Sequence, residues 1–104
     1  MEITSQQLRE KIKNGDKFVV DFWGSFCGPC KVMKPWFDKV AQEMNQKDGT
    51  KLYTFNIEND KEYVVNELGI RSVPTIKGFS GGKEVHHSVG VMREEQIKSV
   101  AESI

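Results

Sequence analysis

Cys27 and Cys30 are the only cysteines in the 104-residue sequence, and Gly28-Pro29 separates them. Such a pair can be half of a zinc site, a covalent haem attachment, two inert buried thiols or a redox dithiol. A zinc site needs four soft or nitrogen ligands. Here only His86 and His87 are left to complete it, adjacent in a stretch that reads as a strand, so their side chains point to opposite faces; no metal site is expected. Haem attachment requires histidine directly after the second cysteine, where Lys31 stands. The surroundings favour the redox dithiol over inert thiols.

The elements around the pair carry that preference. Phe18-Val19-Val20-Asp21-Phe22-Trp23 is a nearly continuous apolar run, as in a strand buried on both faces, and an acid sits inside it. From Cys27 or Gly28 to about Asn45, Val32, Met33, Trp36, Phe37, Val40, Ala41 and Met44 recur at helical spacing. Pro35 inside that helix should remove one hydrogen bond and kink it. Cys27 therefore lies at a helix N-terminus, where unpaired N–H groups and the helix dipole stabilise a thiolate. A separation of three, a little under one helical turn, brings the two sulfurs within bonding range. Pro29 suits the first turn and Gly28 leaves room for another disulfide. No histidine lies between the cysteines to stabilise the thiolate further, so the pair should tend to reduce other proteins.

Elsewhere, Thr4 with Gln7 forms a capping box for a first helix that buries Leu8 and Ile12 and stops at Asn14-Gly15-Asp16. Leu52–Ile57 reads as a strand. Asn59 with Glu62 is a capping signal for a short helix lined by Val64 and Leu68 and ended by Gly69. Strands near Pro74–Ser80 and Lys83–Val89 are joined by a Gly81-Gly82 turn. Ile97, Val100, Ala101 and Ile104 mark a last helix, and Met1–Ile3 fits a first strand. The expected order is strand, helix, strand, helix, strand, helix, strand, strand, helix. This is an α/β fold with a central mixed sheet flanked by helices on both faces.

The length suits a single domain over 1–104. Fifteen basic and fifteen acidic residues cancel, so no charge argument favours nucleic acid or a membrane surface as partner. The first eight residues lack the basic and apolar regions of a secretory signal, and no apolar run approaches the ~20 residues of a membrane span. A soluble cytoplasmic monomer is the expectation.

Val20-Asp21-Phe22-Trp23, Cys27-Gly28-Pro29-Cys30-Lys31, Pro35, Gly69-Ile70-Arg71-Ser72-Val73-Pro74-Thr75 and Val89-Gly90 occur in an order and at spacings that resemble the thioredoxin family over essentially the whole chain. The resemblance implies the thioredoxin fold and a protein-disulfide reductant with no bound cofactor other than its redox-active disulfide. Cys27 would be the exposed nucleophile, Cys30 the more buried resolving thiol, and Asp21 the buried acid that moves the resolving proton. A carboxyl inside an apolar strand should indeed have a raised pKa. Val73-Pro74 would be a cis-proline segment whose backbone pairs with a client. Trp23, Phe26, Gly28, Pro29, Val73, Pro74, Gly90 and Val91 would form the docking surface. The implied partners are disulfide-containing clients and a thioredoxin reductase, NADPH- or ferredoxin-linked, since no nucleotide-binding loop is present.

The sequence departs from the family pattern in places. Phe26 stands where tryptophan is usual. Thr54 takes the place of a lysine that often neighbours the buried acid, which leaves the partner of Asp21 open and should raise its pKa further. Lys77-Gly78 interrupts an apolar strand and should weaken the sheet there, and Arg93 replaces a good helix cap. Two other readings stay open: an oxidant or isomerase of the same fold, and a thioredoxin-fold binding subunit of a larger complex.

Overall fold

The computed structural model describes residues 1–104. In chain order the elements are α1 (Ser5–Lys13), β1 (Phe18–Trp23), α2 (Gly28–Met44), β2 (Lys51–Asn56), β3 (Thr75–Ser80), β4 (Lys83–Val89) and α3 (Glu94–Glu102). The strands form one mixed sheet in the order β2-β1-β3-β4. β1 is parallel to β2 and antiparallel to β3, and β3 pairs antiparallel with β4. Helix α2 supplies the crossover that a parallel pair requires.

The alternation of β1 divides the core into two layers. Phe18, Val20 and Phe22 face Leu8 of α1 together with Phe55, Tyr63, Val64, Ile70 and Phe79. Val19 faces the other way, onto Met33, Phe37, Val40 and Ala41 of α2, Leu52, Ile76, and Ile97 and Ala101 of α3. Buried layers on both faces are why β1 reads as a continuous apolar run. By the same alternation Asp21 shares the α2 face with Val19, directly between Thr54 of β2 and Ile76 of β3.

Several local expectations hold. The capping box at Thr4 is formed, with Gln7 N–H donating to the Thr4 hydroxyl and Thr4 N–H to the Gln7 side chain; such a cap contributes about 1 kcal/mol. Gly81 and Gly82 have φ of 63° and 83°, the conformation of a two-residue type I′ hairpin turn. Helix α2 runs without interruption through Pro35.

Two expectations are corrected. The first strand is reduced to a single bridge: Ile3 N–H donates to Thr54 and Thr54 N–H to Met1. Pairing cannot extend because Thr4 already caps α1. The third helix is a 3-10 turn at Ile57–Asn59 followed by a π-helical turn at Tyr63–Glu67. Its start is capped by Asp60, whose carboxylate accepts from Tyr63 N–H, rather than by Asn59. Lys77 lies buried in β3 with its ammonium paired to Glu84 across the hairpin, which compensates for burying the charge, and the β3–β4 register shifts between Gly78 and Phe79.

Candidate redox site

Residues Gly24–Phe26 join the end of β1 to α2. Ser25 N–H donates to Glu58 Oε1 at 2.8 Å, tying this loop to the 3-10 turn. Hydrogen bonding from Ser25, through its side chain first and its backbone N–H second, holds the Glu58 carboxyl below its usual pKa. Cys27 is the N-cap of α2 in extended conformation, and Cys30 N–H donates to Cys27 Sγ at 3.1 Å. Cys27 and Cys30 are joined in a disulfide, their Cα atoms 5.3 Å apart. The same N–H and the N-terminal end of the α2 dipole face the Cys27 sulfur.

Cys27 is not the exposed member of the pair that the resemblance implied. In the disulfide it is 6% exposed and Cys30 4%. What separates them is the cavity each lines. Cys27 lies in one of about 540 Å³ with Phe26, Gly28, Pro29, Ile57, Val65, Ile70 and Val73. Cys30 lies in another of about 620 Å³ with Asp21, Glu2, Trp23, Lys34, Asp38 and Thr54. Cys30, Lys34 and Asp38 sit at i, i+4 and i+8, so they form one stripe of α2 over the acid.

Asp21 is 4% exposed and its Oδ1 has no hydrogen-bond partner. Burial raises its pKa from 3.8 to about 7; Asp38 and Glu2 push the same way and Lys34 opposes them. Thr54 is its neighbour in register on β2, and the Thr54 hydroxyl donates to Glu2 at 2.7 Å. The largest cause of the rise is desolvation.

The Val73-Pro74 peptide is cis. Thr75 Oγ1 donates to the Ser72 carbonyl at 2.7 Å, and Gly90 N–H donates to the Pro74 carbonyl at 2.9 Å. The expected docking residues are thus only partly one surface. Phe26, Gly28, Pro29 and Val73 share the Cys27 cavity, and Gly90 is bonded to the Pro74 segment. Trp23 belongs to the Cys30 cavity, its indole N–H donating to Glu2 at 3.0 Å. Val91 is 43% exposed and lines neither cavity. Reasoning from the sequence missed Glu2, Glu58, Ile57 and Val65. They come from segments distant in sequence, and no local pattern marks them.

A disulfide at a strand-to-helix junction, in a mixed sheet between helices, defines a thiol–disulfide oxidoreductase of the thioredoxin fold. Residues 1–103 match the family model described as Thioredoxin. The thioredoxin of Rickettsia felis is 30% identical over 96 residues, covering 91% of this chain and 89% of that protein. Thioredoxin 1 of Nostoc sp. is 30% identical over 102 residues, covering 97% and 92%. Among solved structures, the thioredoxin of Malassezia sympodialis superposes with a TM-score of 0.84 at 25% identity, over 98% of this chain and 89% of that one. The oxidized form of mitochondrial thioredoxin 3 from Saccharomyces cerevisiae gives 0.83 at 22% identity over 100% and 94%, a likeness of fold. The chain belongs to the thioredoxin family and is a dithiol–disulfide reductant of that type, working with a reductase and with disulfide-containing clients.

Proposed function

We propose that Cys27 is the attacking thiol, Cys30 the resolving thiol and Asp21 the group that takes the proton from Cys30. The Cys27 thiolate attacks one sulfur of a client disulfide, forming a mixed disulfide and expelling the other client sulfur as a thiolate. Cys30 gives its proton to the Asp21 carboxylate and attacks Cys27 Sγ. The client leaves with both sulfurs reduced, and two electrons have passed to it from the Cys27–Cys30 pair. The observation that carries this assignment is the partition of the site. Asp21 and Cys30 line one cavity, while Cys27 lines the other, with apolar walls suited to a client segment. A group titrating near 7 is matched to proton transfer at neutral pH.

In this reading the client docks over Phe26, Gly28, Pro29 and Val73, with the Val73-Pro74 backbone and Gly90 flanking it. The reductase is a separate NADPH- or ferredoxin-linked protein, and the reductant acts as a cytoplasmic monomer. Turnover of insulin disulfides with dithiothreitol tests the assignment. Cys27→Ser should abolish turnover, and Cys30→Ser should accumulate a mixed disulfide detectable by mass. Activity surviving in Cys27→Ser would reject Cys27 as the nucleophile. Equilibration against glutathione separates reductant from oxidant, since a strongly oxidising balance would favour the second reading.

A further inference from the structure

Glu2 lies outside every helix and strand, yet its carboxylate makes three hydrogen bonds at the active-site end of the sheet. Oε1 accepts from the Trp23 indole N–H at 3.0 Å and from the Thr54 hydroxyl at 2.7 Å. Oε2 accepts from Asn56 N–H at 2.6 Å. The carboxylate therefore spans the ends of the parallel β1–β2 pair and forms part of the wall of the cavity that holds Asp21 and Cys30. Hydrogen bonds to a charged acceptor are about twice as strong as neutral ones, so three on one carboxylate fix its position.

We propose that Glu2 is a positioning residue of the redox site, which holds the Trp23 ring as a cavity wall, engages the Thr54 hydroxyl that would otherwise be free for Asp21, and sets a negative charge beside that acid. Thr54 faces Asp21 in register, and a hydroxyl proton committed to Glu2 is withheld from the acid, whose Oδ1 is left without a partner. The charged groups facing Asp21 are Glu2 from the segment before α1, and Lys31, Lys34 and Asp38 from α2; β2 and β3 present Thr54 and Ile76 there. Glu2 and Asp38 favour the protonated acid and Lys34 the ionised one. Glu2 thus works against ionisation of Asp21.

The inference rests on Asp21 as the proton acceptor, so the test keeps the two separable. The pH dependence of client release from the mixed disulfide is measured by stopped flow in wild type, Glu2→Gln, Glu2→Ala and Asp21→Asn, with Trp23 fluorescence recorded alongside. Glutamine keeps an acceptor for Trp23 and Thr54 but removes the charge. Its midpoint should fall by roughly 0.2 to 0.5 unit at low salt, and the difference should fade near 1 M salt, because Glu2 is exposed. Alanine should lower the midpoint and also change the Trp23 emission, since the indole loses its acceptor. An unmoved midpoint in Glu2→Gln, or unchanged emission in Glu2→Ala, overturns the positioning role. Persistence of the pH step in Asp21→Asn would instead remove the acid's role, and the inference with it.

Discussion

The disulfide separates two regions that are alike in size and differ in the side chains that line them. On the Cys27 side the cavity walls are Phe26, Pro29, Ile57, Val64, Val65, Ile70 and Val73, with Lys61 and Arg71 among them. On the Cys30 side they are mostly polar or charged, and a buried carboxyl lies among them. One bond, Cys27–Cys30, is therefore flanked by mostly apolar side chains at one sulfur and by a cavity holding a buried carboxyl at the other. The difference matches the two halves of the reaction. Capture of a client needs main-chain and apolar contacts that tolerate many sequences. Resolution needs a proton moved at a fixed place. Mutations on the two sides should accordingly separate into effects on binding and effects on pH dependence.

The largest effect is expected at Asp21. Its pKa in the folded protein, about 7, lies above the ordinary 3.8, so between those values the folded state binds a proton that the unfolded state has released. Stability contributed by this group is then fully present below pH ~4 and is lost as pH rises to about 7, a swing on the order of 4 kcal/mol. Asp21→Asn removes the swing. Denaturant unfolding at pH 8 should show the variant more stable than wild type by about 2–4 kcal/mol, with the gap closing toward pH 4. Client release should slow by roughly a hundredfold, the low end of acid–base contributions. A variant that gains stability but releases client at the wild-type rate would reduce Asp21 to a structural acid.

These two regions were unequally legible in the sequence. The apolar side depends on residues close along the chain: the helix start at Cys27, Pro29 in its first turn, and Val73-Pro74. Each has a local signature. Asp21 stood out because an acid inside an apolar strand contradicts its neighbours. The polar chamber is assembled differently, from β1, one stripe of α2, Thr54 and the segment around Glu2. Glu2 carries no local signal; only its hydrogen bonds to Trp23, Thr54 and Asn56 reveal it. The misread elements have the same origin. Met1–Ile3 suits a strand by composition, but the Thr4 cap ends it after one bridge. The turn at Tyr63–Glu67 becomes π-helical where Leu68 N–H reaches back to the Tyr63 carbonyl, a closure that apolar spacing does not distinguish from an α-helix.

On the Cys27 side a middle-sized effect is expected at Phe26. The ring is 71% exposed, so the folded protein gains little from it. Its edge lies over Gly24, where an added Cβ would meet Phe26 Cε1 at 2.8 Å. A client that covers this ring would remove about 1 kcal/mol of apolar surface from water, or roughly a fivefold change in affinity. Phe26→Ala should raise KM for insulin by about two- to fivefold, with unfolding and the pH midpoint unchanged. Movement of the midpoint would mean that the two sides are coupled through the loop.

The smallest effect sharpens the polar side alone. Lys34 lines the chamber and favours ionised Asp21. It also donates to Asp38 at 2.6 Å, one turn further along α2. Lys34→Met removes a favourable charge and at the same time leaves Asp38, which opposes ionisation, without its counter-ion. Both changes act in one direction, so the midpoint of client release should rise, opposite to the fall expected for Glu2→Gln. Both side chains are well exposed, which limits the size to a few tenths of a unit at low salt and less as salt is added. In the double variant the opposed shifts should largely cancel if each charge acts on Asp21 independently. A double variant that keeps the full Lys34→Met rise would show that the Glu2 charge does not act on Asp21, against the role inferred for Glu2.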